Sequence, residues 1–214
     1  MSKDISDNVN RRGRPAIASR SGVRNRREEL LETAVTLFSE KGFQGTSIRE
    51  IAKQMDVSVS NLYHYFNNKE GLWMALLEYS IQELPIRLEE AVARGNTSLE
   101  SFRHLVKEHL HQSTLHQRES RMFLIENDNL SEEGQRSNRR IQMRILNIYI
   151  RQLEKLQAEG VVRAGNLKIK AFNILGVINW HLRWYRADGS MSAEEVHKEI
   201  VDFILHGAVP EGAA

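Results

Sequence analysis

The run Ser58-Val59-Ser60-Asn61-Leu62-Tyr63-His64-Tyr65 mixes apolar residues with short or planar hydrogen-bonding ones. At helical spacing Val59, Leu62 and Phe66 share one side, which leaves Ser58, Ser60, Asn61, Tyr63 and His64 for the other. Hydroxyls, a carboxamide, a phenol and an imidazole suit base edges and phosphate oxygens, so the chemistry is recognition rather than bond-making. Nothing in the chain points to catalysis. There is no His-Glu-x-x-His zinc pattern and no glycine-rich phosphate loop, and no nucleophile–base pair can be read from the sequence. The absence of Cys removes disulfides, thiolate zinc sites, iron–sulfur clusters and cysteine nucleophiles. His104, His109, His111 and His116 lack the spacing that stacks two metal ligands on one helical face, so solvated or packed roles are expected for them. No catalytic residue, cofactor or metal is expected.

The elements that must hold this row in place are helices. From Asn25, Leu30, Ala34, Leu37 and Phe38 recur at i, i+4, i+7 and i+8, an amphipathic stripe that Gly42 should end. Thr46 and Ser47 both offer an N-cap oxygen to a second, short helix, and Ser47 with Glu50 has capping-box spacing. Its inner side is Ile48, Ile51, Ala52 and Met55. Asp56-Val57 makes the turn, Ser58 caps the third helix, and Asn68 caps a fourth that starts at Lys69. Two short helices joined by a tight turn, with polar residues on the outside of the second, describe a helix-turn-helix. The start of its first helix, at Thr46 and Ser47, presents backbone N–H groups suited to a phosphate, and Lys69 adds a cation at a second such terminus. Arg49 is read evenly as a DNA contact or a solvated charge. Tyr63 is placed on the DNA side and Tyr65 further round, toward packing.

Downstream, Pro85 should kink or interrupt the fourth helix. Helices are predicted at roughly 97–117, 119–128, 131–159, 167–187 and 192–206, the last opened by a Ser192/Glu195 capping box. The expected fold is all-α: an N-terminal three-helix helix-turn-helix domain over 23–70, then a helical domain over 71–207. A flexible basic arm, 1–22, precedes them, and a disordered tail, 208–214, follows.

Charge separates the arm from the body. Residues 1–27 carry eight basic side chains and two acidic ones, net +6, so the remainder of this +2 chain is net −4. A basic arm on a near-neutral body is the footprint of a polyanion binder. Within it, Arg12-Gly13-Arg14-Pro15 looks like an AT-hook core: Gly admits the backbone to a narrow groove, and Arg12 and Arg14 reach its negative potential. At 41% hydrophobic the body can bury a core. No apolar run reaches the ~18 residues of a membrane span, and the first 20 residues lack a secretory core, so a cytoplasmic protein without membrane contact is expected.

Gly42-Phe43-Gln44-Gly45-Thr46-Ser47-Ile48-Arg49-Glu50-Ile51-Ala52, then Val57 through Phe66, then Lys69-Glu70-Gly71-Leu72, closely resembles the TetR family of bacterial one-component repressors, without a gap. The resemblance implies an all-helical homodimer in which 71–207 is the effector- or ligand-binding and dimerisation domain, whose final two helices form a four-helix interface, and an operator of double-stranded DNA.

A second stretch, Asn179-Trp180-His181-Leu182-Arg183-Trp184-Tyr185-Arg186-Ala187-Asp188-Gly189, concentrates aromatics and arginines. Trp180 and Trp184, four apart, share a face. They suit dimer packing, or a ligand wall in which indoles take an apolar or planar group and Arg183 or Arg186 takes an anion. The stretch is similar to the C-terminal part of TetR-type regulators that respond to CoA thioesters of fatty acids or steroid fragments. That likeness implies an acyl-CoA effector touching Trp180, Arg183 and Trp184, with Phe102, Met122, Phe123 and Met143 as candidate apolar lining. A different lipophilic or aromatic ligand, a DNA-binding regulator with no effector, and an enzyme acting on acyl-CoA are the competing readings; no motif supports the enzyme.

Overall fold

The computed structural model describes residues 26–125 and 130–206, and every regular element among them is a helix. In chain order these are α1 (Arg26–Gly45), α2 (Ile48–Gln54), α3 (Val59–Tyr65), α4 (Lys69–Ile81), α5 (Leu84–Ala93), α6 (Ser98–Leu115), α7 (Gln117–Ile125), α8 (Glu132–Ala158), α9 (Leu167–Trp184) and α10 (Ala193–His206). No helix of the described residues is long and apolar enough to cross a membrane. The arm and the C-terminal tail, including Arg12 and Arg14, lie outside the described residues.

Punctuation by single residues sets the short elements. Gly42 breaks α1 with φ 73° and ψ 171°, a conformation open to glycine and strained for other residues, and a last turn runs on to Gly45. Ser47 caps α2 by accepting the Glu50 N–H at 3.2 Å, and Ser58 caps α3 by accepting from Asn61 N–H at 3.1 Å. Between them the chain reverses at Asp56, whose φ of 52° is the left-handed geometry that Asp tolerates, while Val57 N–H donates to Ala52 O. Asn68 caps α4 through Gly71 N–H at 2.7 Å. Pro85 interrupts as its ring requires: α4 ends at Ile81, and Pro85 sits in the first turn of α5, where its missing N–H costs nothing. The Ser192/Glu195 box closes in both directions, at 2.8 and 3.2 Å. Helix α9 stops at Trp184, three residues short of the expected 187, because Tyr185 turns extended (φ −63°, ψ 132°).

Two apolar cores result. The first joins α1, α2, α3 and α4 around Phe38, Phe43 and Trp73, with the Trp73 ring edge-on to both phenyl rings at 5.2 Å. It continues through Leu76, Leu77 and Ile81 and takes in Met122 and Phe123 from α7. The division expected at residue 70 therefore cuts through a packed cluster, and the change of core falls near Glu83, where α5 begins. The second core surrounds α6 and is built with α5, α8, α9 and α10, with Leu105, Tyr149 and Ile178 fully buried in it.

Candidate functional site

Leu62, 1% exposed, and Phe66, 4%, anchor the inner side of α3, and Val59 packs beside them. Every residue assigned to the outer side is exposed: Ser58, Ser60, Asn61, Tyr63 and His64. Tyr63 is 48% accessible and Tyr65 38%; the Tyr65 ring leans edge-on to His64 at 5.6 Å, so the aromatic surface extends past Tyr63. Because the inner anchors are apolar and short-range, the helix can present these polar groups without spending any of them on its own packing. Arg27 lies over the Phe66 ring at 5.6 Å and ties the start of α1 to the end of α3. Ser47, Arg49 and Lys53 are exposed along α2. Glu50 pairs with Lys41, and that contact holds its carboxyl below the usual range.

Two of the expected recognition residues take other positions. Thr46 is 2% exposed, and its hydroxyl donates to Gly42 O at 2.9 Å and lies 3.2 Å from Leu37 O. It closes the α1 break, so Ser47 alone caps α2 and the Thr46 hydroxyl is unavailable to a phosphate. Lys69 is half-buried: its ammonium donates to Phe43 O at 2.8 Å and sits 4.3 Å from the Phe43 ring centre. The cation is thus fixed at the α1–α4 corner, with two of its three donors left over.

Phe123 does not belong to the second core, where the effector lining was expected. At 5% exposed it packs in the first core through α7, and its carbonyl accepts from Asn138 Nδ2 at 3.2 Å, so it is a structural residue there and not a ligand wall. Phe102 and Met122 are likewise core, and Met143 is exposed on α8. Trp180, Arg183 and Trp184 point outward. The indoles are 64% and 51% accessible, and Ile169 and Phe172 continue their stripe along α9. The inward side of α9 carries Ala171, Ile178, His181 and Leu182 instead.

A buried polar chain behind that side escapes sequence reading, because its members lie far apart in the chain. His181 Nδ1 contacts Ile178 O, an acceptor only, so Nδ1 carries a proton. Burial pushes the His181 pKa down against the pull of that carbonyl, so the ring is neutral and its Nε2 is bare. Thr114 O–H therefore donates to His181 Nε2 at 3.1 Å, and its oxygen accepts from His197 Nε2–H at 2.9 Å. Burial, helped by His181 and His111, brings the His197 pKa to about 4. On the other side of α6, His109 Nδ1 meets Tyr149 OH at 3.0 Å, and burial with the nearby His181 takes the His109 pKa to about 3. Just past α6, Gln117 Nε2 donates to Leu182 O and Tyr185 O at 3.3 and 3.0 Å, clamping the end of α9.

A short helix with a polar outer row, braced across a tight turn by a capped partner helix, defines a helix-turn-helix DNA-binding protein. Residues 30–76 match the bacterial regulatory proteins of the tetR family, and residues 95–208 match the tetracyclin repressor-like C-terminal domain. The chain belongs to the tetR family, whose members are transcriptional regulators and not enzymes. It is 28% identical over 205 residues to the HTH-type transcriptional repressor KstR2 of Rhodococcus jostii, covering 90% of this chain and 96% of that one. The solved structure of the ketosteroid transcriptional regulator KstR2 of Mycobacterium tuberculosis superposes with a TM-score of 0.80 at 25% identity, over 86% of this chain and 95% of that one. AibR, solved in complex with isovaleryl coenzyme A and operator DNA, shares the fold with a TM-score of 0.77 at 24% identity, over 85% and 98% of the two chains.

Proposed function

We propose that the protein is a homodimeric transcriptional repressor that holds a near-palindromic operator and leaves it when a CoA thioester binds the C-terminal domain. The DNA half rests on the exposed row Ser60, Asn61, Tyr63 and His64 over a fully packed back. Two copies of α3 enter successive major grooves about one helical turn apart. Ser47, Ser58 and the first-turn N–H groups of α2 grip phosphates beside them, and the remaining Lys69 donors face the same backbone. Arg12 and Arg14 reach an adjacent minor groove.

Dimerisation is supported by the outward stripe of α9. Ile169, Phe172, Trp180 and Trp184 are each at least half exposed, with Phe203 of α10 at 46%. A row of large apolar side chains facing water marks a surface that a second copy covers. Arg183 and the two indoles at the end of this stripe offer an anion contact and flat apolar walls to a ligand at its edge. For the effector, the support is the likeness to AibR, which binds isovaleryl coenzyme A, and to KstR2, a ketosteroid regulator. A coupling of about 1–3 kcal/mol changes operator affinity roughly 5–150-fold, provided the ligand prefers the off-DNA state.

Fluorescence anisotropy with a duplex from upstream of the protein's own gene tests both halves. Binding followed by release on adding isovaleryl-CoA, palmitoyl-CoA or a steroid-ring acyl-CoA is the expected result. Indifference to all three would leave DNA binding in place and remove the thioester.

A further inference from the structure

A cleft of about 910 Å³ lies between α6 and α10, within the size range of small-molecule sites. Arg103, Lys107 and Lys198 line it, and none of the three has an ion-pair partner among the described residues. Two acids also line it, Glu194 and Asp202, the latter with His206 Nδ1 at 2.9 Å. Three cations against two carboxylates leave the cleft net positive by one charge, beside a small apolar patch of Leu115 and Val201. Thr114 and His197 line it too, and these are the open end of the buried chain that runs to His181.

We infer that this cleft seats the phosphate-bearing end of the thioester effector, and that the Thr114 hydroxyl transmits its arrival to α9 and α7. The inference rests on the thioester reading above and adds the place and the route. Phosphates suit Arg103, Lys107 and Lys198, which supply directional donors from two facing helices. An occupant that shifts α10 against α6 takes His197 Nε2–H off the Thr114 oxygen, and the hydroxyl, no longer held by that donor, turns away from His181. His181 belongs to α9, whose far face carries the apolar stripe assigned to the dimer. Three residues after Thr114, Gln117 holds the end of α9 and opens α7. Helix α7 in turn packs Met122 and Phe123 into the reading head's core, and Arg118 reaches Thr36 of α1 at 3.4 Å. An unbroken series of hydrogen bonds and packed side chains thus joins the cleft floor to the helix that supports α2 and α3. Such a series transmits force only through an element with two arrangements, and the Thr114 hydroxyl, held between two imidazoles, supplies one.

The test pairs two variants in the full-length protein. Lys107→Glu/Lys198→Glu reverses the charge at the mouth without touching the DNA face. Its affinity for coenzyme A and for whichever acyl-CoA releases the wild type, measured by calorimetry, should fall at least tenfold, with ligand-free operator affinity unchanged. Thr114→Val keeps the volume and removes the hydroxyl. At concentrations that saturate it with the same thioester, confirmed by calorimetry, release should shrink from the roughly 5–150-fold range to under about threefold. Thr114→Ser restores the hydroxyl and should restore release, which a merely structural role would not require. Wild-type ligand affinity in the charge-reversed protein, or full release in Thr114→Val, overturns the inference and leaves the thioester reading intact. A wild type that no thioester releases overturns both.

Discussion

The reading head and the C-terminal body are both helical, yet they distribute their functional groups in opposite ways. In the head the recognition row occupies one seven-residue helix, and each cap that shapes it is three residues from its partner. In the body, the polar chain takes Thr114 from α6, His181 from α9 and His197 from α10, partners separated by 67 and 83 residues. A surface that meets DNA can be written locally because the duplex provides the long-range order. A surface that senses a small molecule must be assembled from helices that move relative to one another, so its members have to be distant in the chain.

Breaking the local side should have the largest effect. Replacing Asn61, Tyr63 and His64 together by Ala removes contacts worth about 1–3 kcal/mol each. Operator affinity should drop by at least about a thousandfold, to the level of unrelated DNA, with the circular dichroism spectrum and effector binding unchanged. Retained operator binding would remove α3 as the reading element. On the distributed side, Phe172→Glu puts a charge into the apolar stripe of α9. Sedimentation should show monomers at concentrations where the wild type is a dimer, and operator affinity should fall with it; an intact dimer would reassign the stripe.

A smaller effect sharpens the contrast through pH. His109 is held near pKa 3, below its unfolded value near 6.5. The unfolded chain therefore binds the extra proton first. Stability is complete above about pH 6.5 and declines as pH falls toward 3, by up to about 1.4 kcal/mol per pH unit for one such group. His109→Gln removes the titration and should flatten the pH dependence of the urea midpoint between pH 6.5 and 4. No change in slope would mean that the ring titrates freely in the folded state. Least dramatic is removal of residues 1–22, which should weaken operator binding and lower its salt dependence by about one unit per lost phosphate contact. Equal slopes for the two proteins would exclude the arm from the complex.

The same contrast decides what the sequence reveals. Capping residues, the Gly42 break and the inner anchors Leu62 and Phe66 follow from three- and four-residue spacings, so the head could be read closely. Thr46 misled because two adjacent residues offered the same cap, and only the fold shows which hydroxyl the α1 break consumes. Phe123 misled for the opposite reason: amphipathic spacing says that a side chain is buried, not which of two cores receives it. The helices of the body were legible to within a few residues, but Thr114 carried no local signal. Its importance lies in two imidazoles that only tertiary packing brings to it.

The membership of α7 in the first core bears on how such a protein can be re-engineered. Because Met122 and Phe123 fill space beneath Trp73's helix, a head transplanted onto another body by cutting after Ile81 would leave an open seam where α7 had been. A workable graft would carry α7 with the head or rebuild its apolar side on the recipient. New operator specificity is then better introduced by exchanging the outer residues of α3 than by exchanging the whole module.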